Sequence, residues 1–195
     1  DIQNDFEYII WRKLLNAPKV TEVISDVIKF LSNQQEIDLP ETVDAQVSRL
    51  RHYLREHRCL LILDNVETIL QKGELAGQYR DGYEGYGDLF RQVGEVPHQS
   101  CLLMTSREEP KEIERLEVSQ RESVKVLKLK GLSVQEGRKI FEGISYFYGS
   151  EDEWQELIEF YNGNPLALEL VAKRIELVYG GNIAEFLRKD KHLFE

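Results

Sequence analysis

Two carboxylates stand directly behind a short apolar run in the first third of the chain. Residues 59–63 read CLLIL, and Asp64 and Glu67 follow. A short apolar run bounded by polar residues predicts a strand buried on both faces of a parallel sheet. Ligands of open α/β sheets bind beyond the carboxyl ends of such strands, where a carboxylate can hold Mg²⁺. Asp64 is therefore a candidate metal ligand. The alternative is a buried strand whose final Asp caps the next helix.

A cation follows a second apolar run. Residues 101–107 read CLLMTSR, which places Arg107 at the carboxyl end of another predicted strand. In phosphoryl-transfer sites a cation at this position can sense and stabilise the terminal phosphate. The alternative is an arginine paired with a surface carboxylate, which is easily found in a chain with a net charge of −10.

A third motif, GNPLALEL at residues 163–170, predicts the start of a helix. Asn164 suits the N-cap, and Pro165 suits the first helical position, where its missing N–H costs nothing. Leu166 and Leu170 then share one face of the helix. An ordinary capped helix explains these residues fully, so a functional interpretation depends on the order of all three motifs along the chain.

These three motifs, in this order, resemble the NB-ARC family of STAND signal-transduction NTPases. Residues 60–67 look like its Walker B strand, residues 105–107 like its Thr-Thr-Arg sensor segment, and residues 163–168 like its Gly-Leu-Pro-Leu motif. Residues 6–12, FEYIIWR, are similar to bacterial and especially cyanobacterial members. In those proteins the module lies between an effector or DNA-binding domain and WD-type or other repeats. The resemblance covers nearly the whole chain.

The resemblance implies an adenine-nucleotide switch inside a larger protein. Asp64 would hold Mg²⁺, Arg107 would sense the γ-phosphate of ATP, and Pro165 with Leu166 would contact the nucleotide at its adenine. ADP would lock the protein in one state, and exchange for ATP would permit self-assembly. The implied partners are ADP or ATP, the flanking effector and repeat domains, and further copies of the same protein.

One departure from the family is the absence of a phosphate-binding loop. No G-x-x-x-x-G-K-[ST] pattern occurs in the chain, and this loop supplies the amides and the lysine that cradle phosphates. The chain starts at Asp1, and its only methionine is Met104. We therefore expect a fragment cut after the P-loop helix, with weak or absent nucleotide binding on its own. Loss of the P-loop strand would also leave unpaired sheet edges.

A second departure is Asn65, which stands where many relatives carry a second acid. An amide cannot accept a proton as a general base, so Glu67 becomes the candidate catalytic base. The alternative for Glu67 is a first-turn residue favoured by the helix dipole. We therefore expect the larger protein to hydrolyse ATP slowly or to act as a switch that only binds nucleotide.

The elements that must position these residues can be predicted from hydrophobic spacing. Helical spacing covers residues 19–33 and 43–57, strand-like patterns cover residues 6–12 and 124–129, and short helices are expected at residues 88–93 and 108–117. Residues 73–87 are rich in glycine and tyrosine, which predicts a loop: either a mobile surface insertion or a contact for a neighbouring domain or protomer. Four capped helices follow from Ser133 onwards.

The predicted fold class is therefore α/β: a P-loop NTPase-type parallel sheet, truncated at its N-terminus, followed by a small helical bundle. The expected domains are residues 1–130, a partial nucleotide-binding domain, and residues 131–195, a helical subdomain that carries the GNPLAL motif.

Composition limits the possible functions. A hydrophobic content of 42% and a charged content of 31% are typical of a globular protein, and the net charge of −10 argues against a nucleic-acid-binding surface. The sequence contains neither an 18-residue apolar stretch nor a visible signal peptide, so a cytoplasmic location without membrane insertion is expected. Cys59 and Cys101 each open a predicted buried strand, and we expect both to be reduced core residues.

Two other functions compete with the switch. One is a nucleotide-free scaffold with the same fold and a decayed site, which Asn65 favours weakly. The other is a phosphoacceptor receiver domain, in which Asp64 would be the acceptor. A receiver needs an early acidic pair and a lysine at the end of a later strand, whereas here the later strand ends in Thr105, Ser106 and Arg107.

Overall fold

The chain folds into two compact units, residues 1–126 and residues 127–195. The computed structural model describes residues 2–73, 77–120 and 122–192. The first unit holds all of the strands in these ranges, and the second is helical.

A three-stranded parallel sheet forms the centre of the first unit. Its strands are β1 (Tyr8–Lys13), β2 (Cys59–Asp64) and β3 (Cys101–Met104), in the order β1-β2-β3. Both pairings are parallel, with Leu61 opposite Ile10 on one side and opposite Leu102 on the other. The predicted α/β fold with a parallel sheet is confirmed.

Four helices accompany the sheet: α1 (Val20–Leu31), α2 (Val43–Glu56), α3 (Gly85–Glu95) and α4 (Lys111–Ser119). Parallel strands that follow one another in sequence order are joined by crossovers of one hand, which places the connecting helices on the same side. The core agrees, because Ile10, Leu61 and Leu63 pack in one cluster with the buried residues of α1, α2 and α3.

The opposite face of the sheet is apolar and largely uncovered. Ile9, Trp11 and Leu103 are 42%, 58% and 48% exposed, and Ile62 between them is half-buried. We call these four residues the bare face. Parallel sheets usually have both faces covered, so this one-sided packing is unusual.

The predicted strand at residues 124–129 does not form. Val124 and Val126 pack against the core of the first unit, whereas Leu127 and Leu129 are 83% and 87% exposed. The Val126 amide donates to Glu117 Oε1 at 3.0 Å instead of to a neighbouring strand. The apolar alternation slips at Val126-Leu127, and a segment that cannot keep one face buried has no reason to pair as a strand.

The tyrosines of the glycine-rich tract are built into the first unit. Tyr79 and Tyr86 are 5% and 0% exposed, and the Tyr83 and Tyr86 hydroxyls donate to the carbonyls of Ala17 and Pro18 at 2.8 and 2.9 Å. A mobile surface insertion would not bury these rings, so that prediction is wrong for residues 77–87. Residues 74–76 lie outside the described part of the chain.

The second unit is a four-helix bundle in the described residues 127–192. It contains α5 (Val134–Glu142), α6 (Glu151–Phe160), α7 (Pro165–Tyr179) and α8 (Ile183–Lys189). The capping boxes at Ser133 and Ser150 are confirmed, since each serine exchanges hydrogen bonds with the glutamate three residues on. The core of the bundle comprises Phe141, Trp154, Leu157, Ile158, Tyr161, Leu168, Val171, Ala172, Ile175, Ile183, Phe186 and Leu187.

The two cysteines differ in burial. Both are free thiols and open neighbouring strands as predicted, but Cys59 is buried whereas Cys101 is exposed. The prediction that Cys101 is a core residue is wrong, because its side chain shares the side of the sheet that bears Leu103. Within the described ranges, no helix is long and apolar enough to cross a membrane.

Candidate functional site at the carboxyl ends of the strands

Asp64 and Thr105 lie side by side at the carboxyl edge of the sheet. Asp64 is the last residue of β2, and Thr105 follows β3 directly. The Thr105 amide donates to the Leu63 carbonyl at 3.0 Å, which extends the β2–β3 pairing by one hydrogen bond. Parallel strands end at the same edge, so residues 41 positions apart in sequence become neighbours here.

Thr105 ties the Asp64 carboxylate to the backbone of the following turn. Its hydroxyl donates to Asp64 Oδ1 at 2.5 Å and accepts from the Asn65 amide at 3.2 Å. The Val66 amide donates to the Thr105 carbonyl at 2.9 Å. A carboxylate held in this way by a hydroxyl keeps a fixed orientation towards a ligand. Thr105 had no predicted role of its own, although it lies within the motif that contains Arg107.

The turn after Asp64 depends on a left-handed residue. Asn65 has φ 64° and ψ 47° and precedes the 3₁₀ turn Val66–Ile69. Asn is among the few residues that tolerate this conformation. Asn65 and not Asp64 occupies the N-cap position, and its side chain makes no capping bond. The interpretation of Asp64 as a helix cap is therefore wrong.

A further threonine ties this turn to the end of β1. Thr68 Oγ1 donates to the Leu14 carbonyl at 2.6 Å, and the Leu14 amide donates to the Asp64 carbonyl at 2.8 Å. All three strand ends are thus connected by hydrogen bonds. Thr68 carries no sequence signal beyond its place after Glu67, so sequence reasoning missed it.

Glu67 and Arg107 form an ion pair. Arg107 Nε lies 3.6 Å from Glu67 Oε1, with 88% of the Arg107 side chain exposed against 20% of the Glu67 side chain. A carboxylate at the surface was the alternative partner predicted for Arg107. The structure shows such a pairing, and the carboxylate is the other charged residue predicted for the site.

Pro165 and Leu166 belong to the second unit. Asn164 caps α7, because its side-chain oxygen accepts from the Leu166 and Ala167 amides at 3.0 and 3.2 Å. Pro165 occupies the first turn of the helix, as predicted. Leu166 is 66% exposed, so its side chain is accessible to a ligand or partner.

The Asp64 carboxylate at the sheet edge suits a cation that takes only one or two ligands from the protein. Among the described residues, no three His, Cys, Asp or Glu side chains come close enough together to hold a metal ion. Asp64 by itself therefore cannot form an all-protein cage. Mg²⁺ commonly binds through one or two carboxylates, with phosphate oxygens and water as its other ligands. A half-buried, oriented carboxylate fits that mode of binding.

The class that this geometry defines is an α/β protein with a polar site at the carboxyl ends of parallel strands, joined in sequence to a helical bundle. No protein-family model matches the chain. The chain is 47% identical over 181 residues, 93% of its length, to an uncharacterised WD repeat-containing protein of Nostoc sp. strain PCC 7120. It spans 14% of the length of that relative.

Among solved structures, the chain is similar to the Orc1 protein of Aeropyrum pernix determined in complex with DNA. The likeness has a TM-score of 0.48 and 17% sequence identity, and it covers 96% of this chain and 48% of the other.

Proposed function

We propose that this chain is part of an ADP- or ATP-binding switch of the STAND type within a larger, cytoplasmic protein. The observation that carries the proposal is the meeting of Asp64, Thr105, Glu67 and Arg107 at the carboxyl edge of a parallel sheet. Ligands of open α/β sheets bind at this edge.

Each residue at the edge has a role in this proposal. Asp64, oriented by Thr105, would hold Mg²⁺ together with phosphate oxygens, and the metal would neutralise developing negative charge on the phosphates. Arg107 would contact the γ-phosphate. Glu67 would accept a proton from the attacking water, because Asn65 cannot. The larger protein would be a slow ATPase, and the 195-residue chain alone would be inactive.

The bare face supports a further part of the proposal. Ile9, Trp11 and Leu103 expose apolar side chains on a parallel sheet, and such sheets are normally covered on both faces. We propose that an α/β segment with the missing phosphate-binding loop packs on this face in the larger protein. Its loop would then lie near Asp64 and supply the amides and the lysine that this sequence lacks.

The second unit would respond to the base of the nucleotide. Leu166 is exposed at the start of α7, beside Pro165, and the resemblance assigns contact with the adenine to this turn. ADP and ATP can switch the protein only if they bind its two states with different affinities. Self-assembly in the ATP state, and flanking effector and WD-type domains, complete the proposed arrangement. The WD repeats named in the description of the Nostoc relative support the latter.

A nucleotide-free scaffold is the second candidate. Asn65 favours it weakly, because an amide cannot act as a general base. So does an apolar stripe on α7, where Leu166, Leu170 and Leu177 are 66%, 45% and 85% exposed, because such a surface suits a protein partner.

Calorimetric titration of ADP separates the two candidates. One sample is the 195-residue chain, and the other is a longer chain extended upstream to include a phosphate-binding loop. The switch predicts binding by the longer chain and weak or no binding by the shorter one. Binding by neither chain would support the scaffold, and low-micromolar binding by the short chain would contradict the role given to the missing loop.

A further inference from the structure

The two charged residues proposed to act on the phosphate contact each other when no ligand is bound. The same guanidinium that would bind the γ-phosphate lies 3.6 Å from the Glu67 carboxylate. Arginine binds carboxylates and phosphates through the same planar set of N–H donors. Glu67 therefore lies beside the N–H donors of Arg107 that a phosphate would use.

Glu67 is the fixed member of this pair. It stands in the 3₁₀ turn Val66–Ile69, which is tied to the neighbouring strand ends through the Val66 amide and the Thr68 hydroxyl at 2.9 and 2.6 Å. Only 20% of the Glu67 side chain is exposed. Its backbone is therefore held in place, and its largely buried side chain has less room to move than that of Arg107.

Arg107 is the member that can move. It lies beyond the end of β3, and 88% of its side chain is exposed. The Nε–Oε1 distance of 3.6 Å is too long for a good hydrogen bond. A solvent-exposed pair of this kind changes an equilibrium by only about 1.5- to 5-fold. A phosphate group with more than one negative charge can displace Glu67 from such a pair.

We propose that Glu67 pairs with Arg107 in the ligand-free protein and that the γ-phosphate of ATP draws Arg107 away from it. This inference rests on the proposed function and adds a form of regulation to the same site. ADP has no γ-phosphate, so it leaves the pair intact. ATP recruits Arg107 and thereby frees the Glu67 carboxylate to accept a proton from water. The base thus becomes more available when the group to be hydrolysed is present.

The first test concerns the pair without nucleotide. The side-chain Nε–H resonance of Arg107 in the 195-residue chain should shift and should exchange faster with water in E67Q than in the wild type. The control variant is E109Q, which removes the same formal charge two residues beyond Arg107 and should leave this resonance unchanged. Identical Arg107 spectra for the wild type and E67Q would overturn the inference.

The second test is a double-mutant cycle on nucleotide affinity in the longer chain with the phosphate-binding loop. We expect E67Q to raise the ratio of ATP affinity to ADP affinity by about 1.5- to 5-fold at low salt, because Arg107 no longer has to leave a carboxylate. R107Q should lower this ratio, and E67Q should add nothing in the R107Q background. If the effect of E67Q disappears in the R107Q background, it comes from the release of Arg107 and not from the loss of a negative charge alone. E109Q measures the effect of losing a negative charge alone.

The outcomes distinguish the inference from the proposed function. If the longer chain binds neither ATP nor ADP, the proposed function fails, and the regulation fails with it. If it binds both nucleotides but E67Q leaves the affinity ratio unchanged, or changes it equally with and without Arg107, only the inference is overturned.

Discussion

The helix caps of the bundle and the polar site at the sheet edge reach very different distances along the chain. In the helical bundle, Ser133 and Ser150 each cap a helix by bonding a residue three positions away. In the α/β unit, Thr105 bonds the Asp64 carboxylate across 41 positions. Local contacts form wherever their helix forms, whereas the site at the sheet edge exists only when two strands pair in the right register. The proposed chemistry therefore depends on the sheet far more than on any single motif.

The units also differ in how completely they enclose their cores. The sheet has one packed face and one bare face, whereas the described helices of the bundle surround a single cluster that includes Phe141, Trp154 and Phe186. Pairs of substitutions can test these differences between the units. One member of each pair changes a packed or bonded position, and the other changes a matched position without that contact.

The largest expected effect comes from two adjacent isoleucines on opposite faces of β1. Ile10 is 2% exposed and Ile9 is 42% exposed. We expect Ile10→Ala to lower the free energy of unfolding by about 2–5 kcal/mol, since it leaves a cavity in the core. Ile9→Ala should cost less than about 1 kcal/mol. Chemical denaturation of both variants measures the difference, and equal losses would mean that the bare face is covered in solution.

The next effect concerns two glycines of the bundle with similar backbone angles. Gly163 and Gly180 have φ +61° and +56°, but a Cβ on Gly163 would lie 2.3 Å from the Leu132 carbonyl oxygen, whereas a Cβ on Gly180 would meet nothing within 4 Å. Gly180→Ala should cost about 1–2 kcal/mol, the strain of the left-handed conformation. Gly163→Ala should cost about 1–3 kcal/mol more because of the overlap.

Thermal unfolding followed by circular dichroism compares the two glycine variants. Similar melting temperatures would show that the segment around Leu132 can move away from Gly163.

A smaller effect is expected at the sheet edge. Thr105→Val removes the hydroxyl that bonds Asp64 and the Asn65 amide. Because Thr105 is exposed and water can replace the hydroxyl, the loss should cost only about 0.5–1.5 kcal/mol. Thr105→Ser keeps the hydroxyl and should stay close to the wild type. Denaturation midpoints give the stability, and Mg-ATP affinity in the longer chain gives the effect on the site. A Val variant with wild-type values for both would remove Thr105 from the proposed site.

The smallest effect is the pH dependence of a single capping box. The Ser133 hydroxyl and amide donate to Glu136 and hold the pKa of this carboxyl below its usual value of 4.5. A lowered folded-state pKa means that the contribution is fully present above the unfolded value and is lost as the pH falls through the folded value. The free energy of unfolding should therefore decrease as the pH is lowered below about 4.5. This decrease should be shallower in Glu136→Gln. Urea titrations between pH 3 and pH 7 test this, and parallel curves would contradict it.

Local patterns predicted most of the elements. The apolar run at residues 59–63 became β2, the helical spacing in residues 19–33 became α1, and both capping boxes formed. These predictions succeed because hydrophobic periodicity within a few residues marks the side of an element that can be buried, and helices and their caps also make their hydrogen bonds within a few residues. The strand predicted at residues 124–129 failed for the opposite reason, since a strand also needs a partner with a free edge and a buried face.

The site was only partly visible in the sequence. Asp64, Glu67 and Arg107 stood out because they follow closely after short apolar runs that predict buried strands. Thr105 and Thr68 did not stand out, because a threonine hydroxyl has no distinctive pattern until its acceptor is known. The pairing of Glu67 with Arg107 was also hidden, because its members come from different strand ends.

The sequence by itself determined most of the elements, their order and the residue types at each strand end, because these depend on neighbours within a few positions. Only the tertiary structure decided that Thr105 orients Asp64, that Glu67 holds Arg107, and that one face of the sheet stays bare. The physical reason is that strand register and one-sided packing arise from contacts between distant segments. Such contacts cannot be recognised from the hydrophobic pattern of either segment alone.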